Sequence, residues 1–217
     1  MAKLEIYRPI LSDRMTQGFG ENKACFNPDN GKVSGFSGNS CPAGTIGLYK
    51  HFGMLGHNGE DWTCWYDEPI FHSGLFDGWA HLEVDSAGGI GVDIVSVDPI
   101  YEGNYIKLRY WHLRATKVKE GEIVRPGQLI GHGDSTGASS GDHLHWALKP
   151  CKKDAKSLNE ANGYYGAIDF RPYFENVFIL DVLKIHEEAK TAIRQAQTLI
   201  DRVVQWLNAR VNNFLKR

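Results

Sequence analysis

The residues best suited to chemistry are two histidines separated by one leucine, His143-Leu144-His145. In an extended strand, side chains at i and i+2 leave the same face, so the two imidazoles would lie side by side while Leu144 points into the core. His57 and Asp61 supply a further imidazole and a carboxylate earlier in the chain. A catalytic zinc typically takes three protein ligands of these types and keeps a fourth position for water. The pattern predicts a hydrolytic metal centre that uses His57, Asp61 and one of the two strand histidines.

The segment that carries His57 and Asp61 must bring both side chains to one ion. Their i, i+4 spacing would suit one face of a helix, but Gly56 and Gly59 favour a loop or the start of a strand. Glu60 is not included among the ligands, because neighbouring side chains in extended structure point apart. We therefore expect a bent segment that leads into a strand.

A further histidine, His112, follows a β-like run that begins at Tyr105, and we expect it at the end of that strand. Tyr110 lies two residues earlier and should share its strand face, where aromatic packing is the favoured role. A glycine- and hydroxyl-rich segment, residues 131–145, delivers the chain to His143 and His145. A neutral imidazole at His112 or His143 could accept a proton from water. The other histidines are interpreted as surface or core residues: His51, His72, His81, His132 and His186.

The elements that position these residues are predicted to be mainly β up to about residue 180. Short runs alternate apolar with polar residues and are broken by Gly, Pro and Asp, without a helical segment between them, which favours an antiparallel sheet or two packed sheets. The expected strands are 70–72, 79–84, 91–97, 105–112, 129–130 and 143–148. Residues 21–56 form a loop-rich insertion whose glycines and prolines leave little room for long regular elements.

The C-terminal segment is different, since residues 181–215 contain neither Gly nor Pro and carry apolar residues at helical spacing. This predicts one long amphipathic helix, or two, and a continuous one would extend about 50 Å. Its end is basic: Arg202, Arg210, Lys216 and Arg217 against Asp201 give a local net charge of +3. Packing on its own domain or self-association is favoured, with contact to a membrane surface as the alternative.

Composition excludes some classes of protein. The 217 residues, 42% of them hydrophobic, suffice for one domain and an appendage. A net charge of -2 argues against a nucleic-acid partner. Neither a membrane span nor a secretory signal is recognisable. Of the four cysteines, Cys25 and Cys41 could be disulfide-bonded, although four reduced thiols are as plausible, and Cys64 is expected to be buried and inert.

Four motifs in order resemble the lysostaphin/LytM-type zinc endopeptidases. They are His-x-x-x-Asp at 57–61, Tyr-x-His-Leu at 110–113, Pro-Gly-Gln-Leu-Ile-Gly at 126–131 and Ser-Gly-Asp-His-Leu-His at 140–145. The segments 16–20 and 168–172 are also similar to that family, and the resemblance covers roughly residues 9–175. It departs in the long insertion and in Asp67-Glu68-Pro69-Ile70, which replaces the family's usual Gly-Thr-Pro-Val turn.

The resemblance implies one catalytic Zn²⁺ held by His57, Asp61 and His145, with His112 and His143 as non-ligating catalytic histidines. It implies an antiparallel β-sheet catalytic domain at 1–178, followed by the helical segment 179–217. The implied activity is hydrolysis of the stem or cross-bridge peptides of bacterial peptidoglycan. Without an export signal, the expected setting is a phage-type lytic enzyme made in the cytoplasm and released at lysis. Two alternatives stay open: a virion or cell-envelope scaffold that retains the fold, and a zinc amidase acting on the same polymer.

Overall fold

The computed structural model describes residues 4–35 and 41–215, with side chains for 4–34 and 41–206. The helices are α1 (Leu48–His51) and α2 (Ile179–Leu215), and two short 3-10 helices span Glu160–Asn162 and Arg171–Tyr173. The strands are β1 (Ile6–Arg8), β2 (Met15–Gln17), β3 (Ala24–Phe26), β4 (Val33–Gly35), β5 (Ile46–Gly47), β6 (Glu60–Thr63), β7 (Pro69–Phe71), β8 (Gly78–Asp85), β9 (Gly89–Ser96), β10 (Tyr105–Thr116), β11 (Ile123–Val124), β12 (Leu129–Gly133), β13 (His143–Cys151) and β14 (Phe174–Phe178).

A nine-stranded sheet dominates the described part of the chain. Seven strands follow the order β11-β8-β9-β10-β13-β6-β2, while β12 pairs with β10 and β7 pairs with β12. All the pairings in this sheet are antiparallel. The prediction of a mainly β, antiparallel fold with a long C-terminal helix is confirmed.

One face of the sheet packs into the hydrophobic core. Along β13, Leu144, Trp146 and Leu148 point into this core and are fully buried. The residues between them leave the other face, because successive side chains of a strand alternate. The two histidines of β13 therefore share the face opposite the core, as their spacing predicted.

The insertion folds into short elements. Strands β4, β3 and β5 form a three-stranded antiparallel sheet, and α1 follows β5 directly. Cys25 and Cys41 are joined by a disulfide, with their Cα atoms 5.7 Å apart. Residues 36–40 of the predicted insertion lie outside the described residues. Cys64 is buried without a disulfide, as expected, and burial raises the pKa of its thiol to about 12.

The chain divides into two compact units, Met1–Ile179 and Leu180–Arg217. The described part of the second unit lies within α2, which is a single helix of 37 residues. Its side chains are described as far as Trp206, so the predicted apolar positions Leu207, Val211 and Phe214 lie outside the described side chains. Over the described residues, α2 does not have the length of apolar sequence that a membrane-crossing helix needs, and neither does α1.

Candidate metal centre

Strand pairing brings Asp61 and His145 together. In the register between β13 and β6, His145 lies opposite Asp61, and in the register between β13 and β10 it lies opposite Trp111. Directly opposed residues of an antiparallel pair project from the same face. A carboxylate, an imidazole and an indole therefore line one face of the sheet, side by side.

His57 reaches the same face from the turn that precedes β6. Its backbone N–H donates to Glu21 O over 2.9 Å, and its carbonyl accepts from Gly20 N–H over 2.8 Å. These two bonds fix the turn against the end of the N-terminal lead-in, residues 4–20, and the first residue of the insertion. The side chain of His57 is 2% exposed, and Nδ1 donates to the Gly18 carbonyl over 3.2 Å. Its Nε2 is therefore the nitrogen directed at Asp61.

Three potential ligand atoms converge at this point. Nε2 of His57 lies 2.9 Å from Nδ1 of His145, and both nitrogens lie 3.1 Å from Oδ1 of Asp61. Among the described residues, Nε2 of His145 has no hydrogen-bond partner, so its ring meets other polar groups through Nδ1. Zinc binds imidazole nitrogen at about 2.0–2.1 Å and carboxylate oxygen at about 2.0–2.2 Å. Donor atoms this close together can contact one ion, and the set fits zinc.

Electrostatics keep His145 and Asp61 in the forms that a metal requires. Burial lowers the pKa of His145 to about 3, so its imidazole is neutral near pH 7. For Asp61, burial raises the pKa, but the neighbouring His57 and His145 rings more than offset this and lower the pKa well below its usual value. A neutral imidazole and an ionised carboxylate are the ligating forms.

His112 lies next to this group but not where the sequence placed it. The expected strand end at His112 is wrong, because β10 continues to Thr116. His112 has a φ of 62°, and the pairing of β10 with β9 shifts register between Tyr110 and Leu113. Such a bulge re-aims side chains. The ring of His112 lies 6.0 Å from that of His145 and 4.5 Å from that of His143, centroid to centroid.

The same bulge overturns the expectation that Tyr110 shares the face of His112. Tyr110 is fully buried in the core, where its hydroxyl accepts from Ser73 N–H over 3.0 Å and contacts Ser73 Oγ at 2.8 Å. Trp111 takes the place beside the cluster, with its ring 5.4 Å from that of His145. Tyr110 is therefore not a candidate for contact with a substrate, which agrees with the packing role.

His112 and His143 each have one ring nitrogen hydrogen-bonded to a backbone carbonyl. Nδ1 of His112 donates to the Thr136 carbonyl over 2.6 Å, and Nδ1 of His143 donates to the Gly141 carbonyl over 2.7 Å. Burial, with a smaller contribution from His143, lowers the pKa of His112 to about 4. Nε2 of His143 lies 3.7 Å from Oδ1 of Asp61, farther than Nδ1 of His145. His143 thus lies beside the converging trio but outside it.

Glu60 faces away from the cluster, as its position next to Asp61 predicted. It is 1% exposed, and its Oε2 accepts from Trp62 Nε1–H over 3.0 Å.

Gly59 leaves room for the neighbouring strand, because a Cβ there would lie 2.6 Å from the Trp146 carbonyl oxygen and 2.8 Å from Cε1 of His145. Only glycine allows β13 to approach this closely.

The cluster lies in a cavity of about 600 Å³. Its walls come from the lead-in, the insertion and the serine-rich segment before β13; lining residues include Gln17, Leu48, Tyr49, Phe52, Met54, Trp111, Ser139 and Ser140. Tyr49 is 6% exposed, its hydroxyl is hydrogen-bonded to the Gln17 amide, and its ring lies 5.3 Å from that of His57. The sequence pattern pointed neither to Tyr49, which lies in the loop-rich insertion, nor to Trp111, which occupies the variable position of the Tyr-x-His-Leu motif.

Comparison with known proteins gives a match to Peptidase family M23 over residues 56–159, a shorter stretch than the 9–175 of the resemblance. Two curated relatives from Vibrio cholerae are named peptidoglycan DD-endopeptidases: ShyA is 32% identical over 100 residues and ShyB 34% over 103 residues. These alignments cover 42% and 44% of this chain, but only 20% and 21% of the relatives. The chain thus spans about a fifth of the length of the curated relatives that it matches.

Two solved peptidase structures are also similar to this chain, at lower sequence identity. A zinc-containing peptidase from Vibrio cholerae is 24% identical with a TM-score of 0.45, covering 66% of this chain and 36% of that chain. The catalytic domain of lysostaphin from Staphylococcus simulans is 25% identical with a TM-score of 0.44, covering 54% of this chain and 78% of that chain. All five predicted site residues lie within residues 56–159, the stretch of this chain that matches Peptidase family M23.

Proposed function

We propose that this protein is a zinc-dependent endopeptidase that hydrolyses peptide bonds in bacterial peptidoglycan. The observation that carries the proposal is the convergence of His57 Nε2, Asp61 Oδ1 and His145 Nδ1 within 3.1 Å of one another. Two further histidines lie beside them, in a cavity large enough for a peptide segment. The match to a peptidase family over residues 56–159 and the relatives named as peptidoglycan DD-endopeptidases support the choice of substrate.

His57, Asp61 and His145 would hold the zinc. When bound, zinc acts as a Lewis acid and lowers the pKa of its water from about 15.7 to about 7, which supplies a nucleophile at neutral pH. The fold sets the tautomer or the charge of these ligands before zinc binds. The Gly18 carbonyl fixes the tautomer of His57, and the burial of His145 keeps its ring neutral.

His112 and His143 would carry the proton transfers. Each ring donates from Nδ1 to a backbone carbonyl, so Nε2 of the neutral ring is free to accept a proton from the attacking water. The protonated ring can then donate to the oxyanion or to the leaving amine. Their centroid separation of 4.5 Å allows both to serve the same scissile bond.

Digestion of purified peptidoglycan by the zinc-loaded protein tests this function. Mass spectrometry of the products should show new amino and carboxyl ends within the peptide part, rather than a cut between peptide and sugar as an amidase would make. His143→Ala should be inactive, whereas His81→Ala should retain activity, because His81 is paired with Glu120 away from the cavity. An uncut polymer with zinc-loaded wild-type protein would contradict the proposal and favour a binding or scaffold role. The phage-type setting stays a prediction.

A further inference from the structure

Helix α2 presents an apolar stripe to solvent along its described length. The stripe occupies alternating spacings of three and four residues, the seven-residue repeat of a coiled coil. Its members are Ile185, Ala189, Ala192, Ala196, Leu199 and Val203. Of these, Ile185 is 59% exposed and Leu199 63% exposed, and the adjoining Ile193 is 69% exposed. A helix with this much exposed apolar surface is expected to bind another apolar surface.

We propose that α2 pairs with α2 of a second copy of this chain as an antiparallel coiled coil. In an antiparallel pair with its twofold axis near Arg194, three kinds of layer form and the axis repeats each of them: Ile185 with Val203 of the partner subunit, Ala189 with Leu199 of the partner subunit, and Ala192 with Ala196 of the partner subunit. Ala189 thus faces a leucine, whereas the two central layers pair alanine with alanine. The Ala189 layers set a small residue against a large one, which suits close packing of the two helices.

Charge complementarity selects this orientation. The antiparallel register places Glu188 beside Arg202 of the partner subunit, and the twofold axis repeats the pair. Both side chains are exposed on α2. They are 14 residues apart, about 21 Å along one helix, so they cannot meet within a chain. A parallel pair would instead stack three successive alanine layers and set Glu188 against an isoleucine, with poorer packing and no ion pair.

A lipid surface fits the helix less well. Over residues 180–206, the four cations Lys184, Lys190, Arg194 and Arg202 balance the four anions Asp181, Glu187, Glu188 and Asp201. Interfacial helices usually carry an excess of Lys and Arg on the polar face to attract anionic lipids. Residues 180–206 have no such excess, and three of the six stripe residues are alanines, which offer little surface to insert.

Sedimentation of the full chain tests the pairing. The wild type should sediment as a dimer and Leu199→Asp as a monomer, while the matched control Thr198→Asp, on a different face of the helix, should remain dimeric. Circular dichroism checks that each variant keeps its helix. A monomeric wild type would overturn the proposal, as would a Leu199→Asp variant that still dimerises. Monomers that co-float with anionic phosphatidylglycerol vesicles would assign the stripe to membranes.

Charge reversal tests the orientation. Glu188→Arg and Arg202→Glu should each weaken dimerisation by about tenfold, because each places two like-charged pairs across the interface. The double variant restores both pairs and should dimerise within about twofold of the wild type. A double variant as weak as the sum of its parts would overturn the antiparallel register.

Disulfide trapping gives an independent check of the register. A mixture of Ala192→Cys and Ala196→Cys chains, one carrying a size tag, should form the mixed crosslink under mild oxidation. Each variant alone should not crosslink through that position. Self-crosslinking of either variant would indicate a parallel pair and overturn the proposal.

Discussion

At the scale of single residues, the candidate centre depends on which ring nitrogen each histidine presents. Backbone carbonyls hold Nδ1 of three of them: Gly18 for His57, Thr136 for His112 and Gly141 for His143. Because a neutral imidazole has one donor and one acceptor, each of these bonds leaves Nε2 as the acceptor. The fold therefore sets the tautomers before any metal or substrate arrives.

Substitution of the two strand histidines should separate metal binding from proton transfer. His145→Ala should lose both zinc and activity, because its Nδ1 is one of the three converging atoms. His143→Ala should keep about one zinc per chain and lose activity by about 10²–10⁴-fold, the usual contribution of a general acid or base. Metal analysis of dialysed protein, together with turnover of a fluorescent peptidoglycan, measures both. Loss of zinc from His143→Ala would show that the division is wrong.

Gly59 should be intolerant of a side chain. A Cβ there would lie 2.6 Å from the Trp146 carbonyl oxygen, and backbone atoms cannot move aside as a flexible side chain can. Gly59→Ala should lower the free energy of unfolding by about 1–3 kcal/mol, the range for overpacking, and weaken zinc binding because His145 also lies close. Urea unfolding followed by fluorescence measures the first effect.

Gly141→Ala is the matched control, since nothing lies within 4 Å of a Cβ at that position. Its unfolding midpoint should remain near that of the wild type. Equal destabilisation of the two variants would contradict the steric explanation.

At the scale of elements, the site is a property of three neighbouring strands and one turn. Pairing of β13 with β6 and β10 fixes Asp61, His145 and Trp111 in a row, and the bulge in β10 turns His112 towards them. The insertion adds a wall of the cavity through α1 and the residues after it. Because the insertion's sheet has only short strands, its disulfide is an important constraint on that wall.

Removal of the Cys25–Cys41 bridge should loosen the insertion. The bridged cysteines are 16 residues apart, and the chain-entropy value for a loop of this size is about 3 kcal/mol. Cys25→Ser/Cys41→Ser should be cleaved by trypsin within residues 21–56 at least tenfold faster, and should retain zinc because none of the ligands lies in the insertion. Reduction of the wild type should reproduce the effect. Unchanged proteolysis would indicate that packing alone holds the insertion.

At the scale of the whole molecule, an ionic cluster lies buried on the sheet face that carries the site. Asp93 is fully buried and accepts two hydrogen bonds from Arg109, each of 2.7 Å. It also forms an ion pair with Lys107 at 2.8 Å. Lys149 is a third buried cation, donating from Nζ to the Tyr165 carbonyl over 3.1 Å. Burial, then repulsion by Arg109, lowers the pKa of Lys149 to about 7. Asp93 thus pairs with two of the three cations, while the third, Lys149, loses its proton more readily than an ordinary lysine.

Stability should therefore depend on the titration of Lys149. Its pKa is about 7 in the folded protein and about 10.4 in the unfolded chain. Between these values the unfolded chain binds a proton that the folded protein lacks, so the free energy of unfolding rises with pH by up to about 1.4 kcal/mol per pH unit. Lys149→Met removes this dependence.

The measurement is urea unfolding of metal-free wild type and Lys149→Met between pH 7 and 8.5. The wild type should gain stability relative to the variant across this range. Comparison of the two proteins cancels contributions from other titrating groups, including the buried thiols. Parallel pH profiles would show that Lys149 stays charged in the folded protein.

Features that depend on local spacing were predictable from the sequence. Alternation predicted the strands and placed His143 and His145 on one face, because strand periodicity is a backbone property. The absence of Gly and Pro together with apolar spacing predicted the long helix, observed as Ile179–Leu215. The order of the motifs predicted the resemblance to lysostaphin/LytM-type endopeptidases, and the match to Peptidase family M23 over residues 56–159 agrees with it. The roles of the five site residues stay predictions.

How those residues meet depends on the tertiary structure. The register of β13 against β6, the positive φ of His112 and the burial of Tyr110 each depend on pairing between segments far apart in the chain. The same holds for Tyr49 and Trp111, which reach the cavity through the insertion and the bulge. Local periodicity carries no information about such long-range pairing, because register and bulges are selected by packing across strands. The sequence thus predicts the types of the candidate ligands, whereas the fold sets the distances between their donor atoms and the tautomers of the histidines.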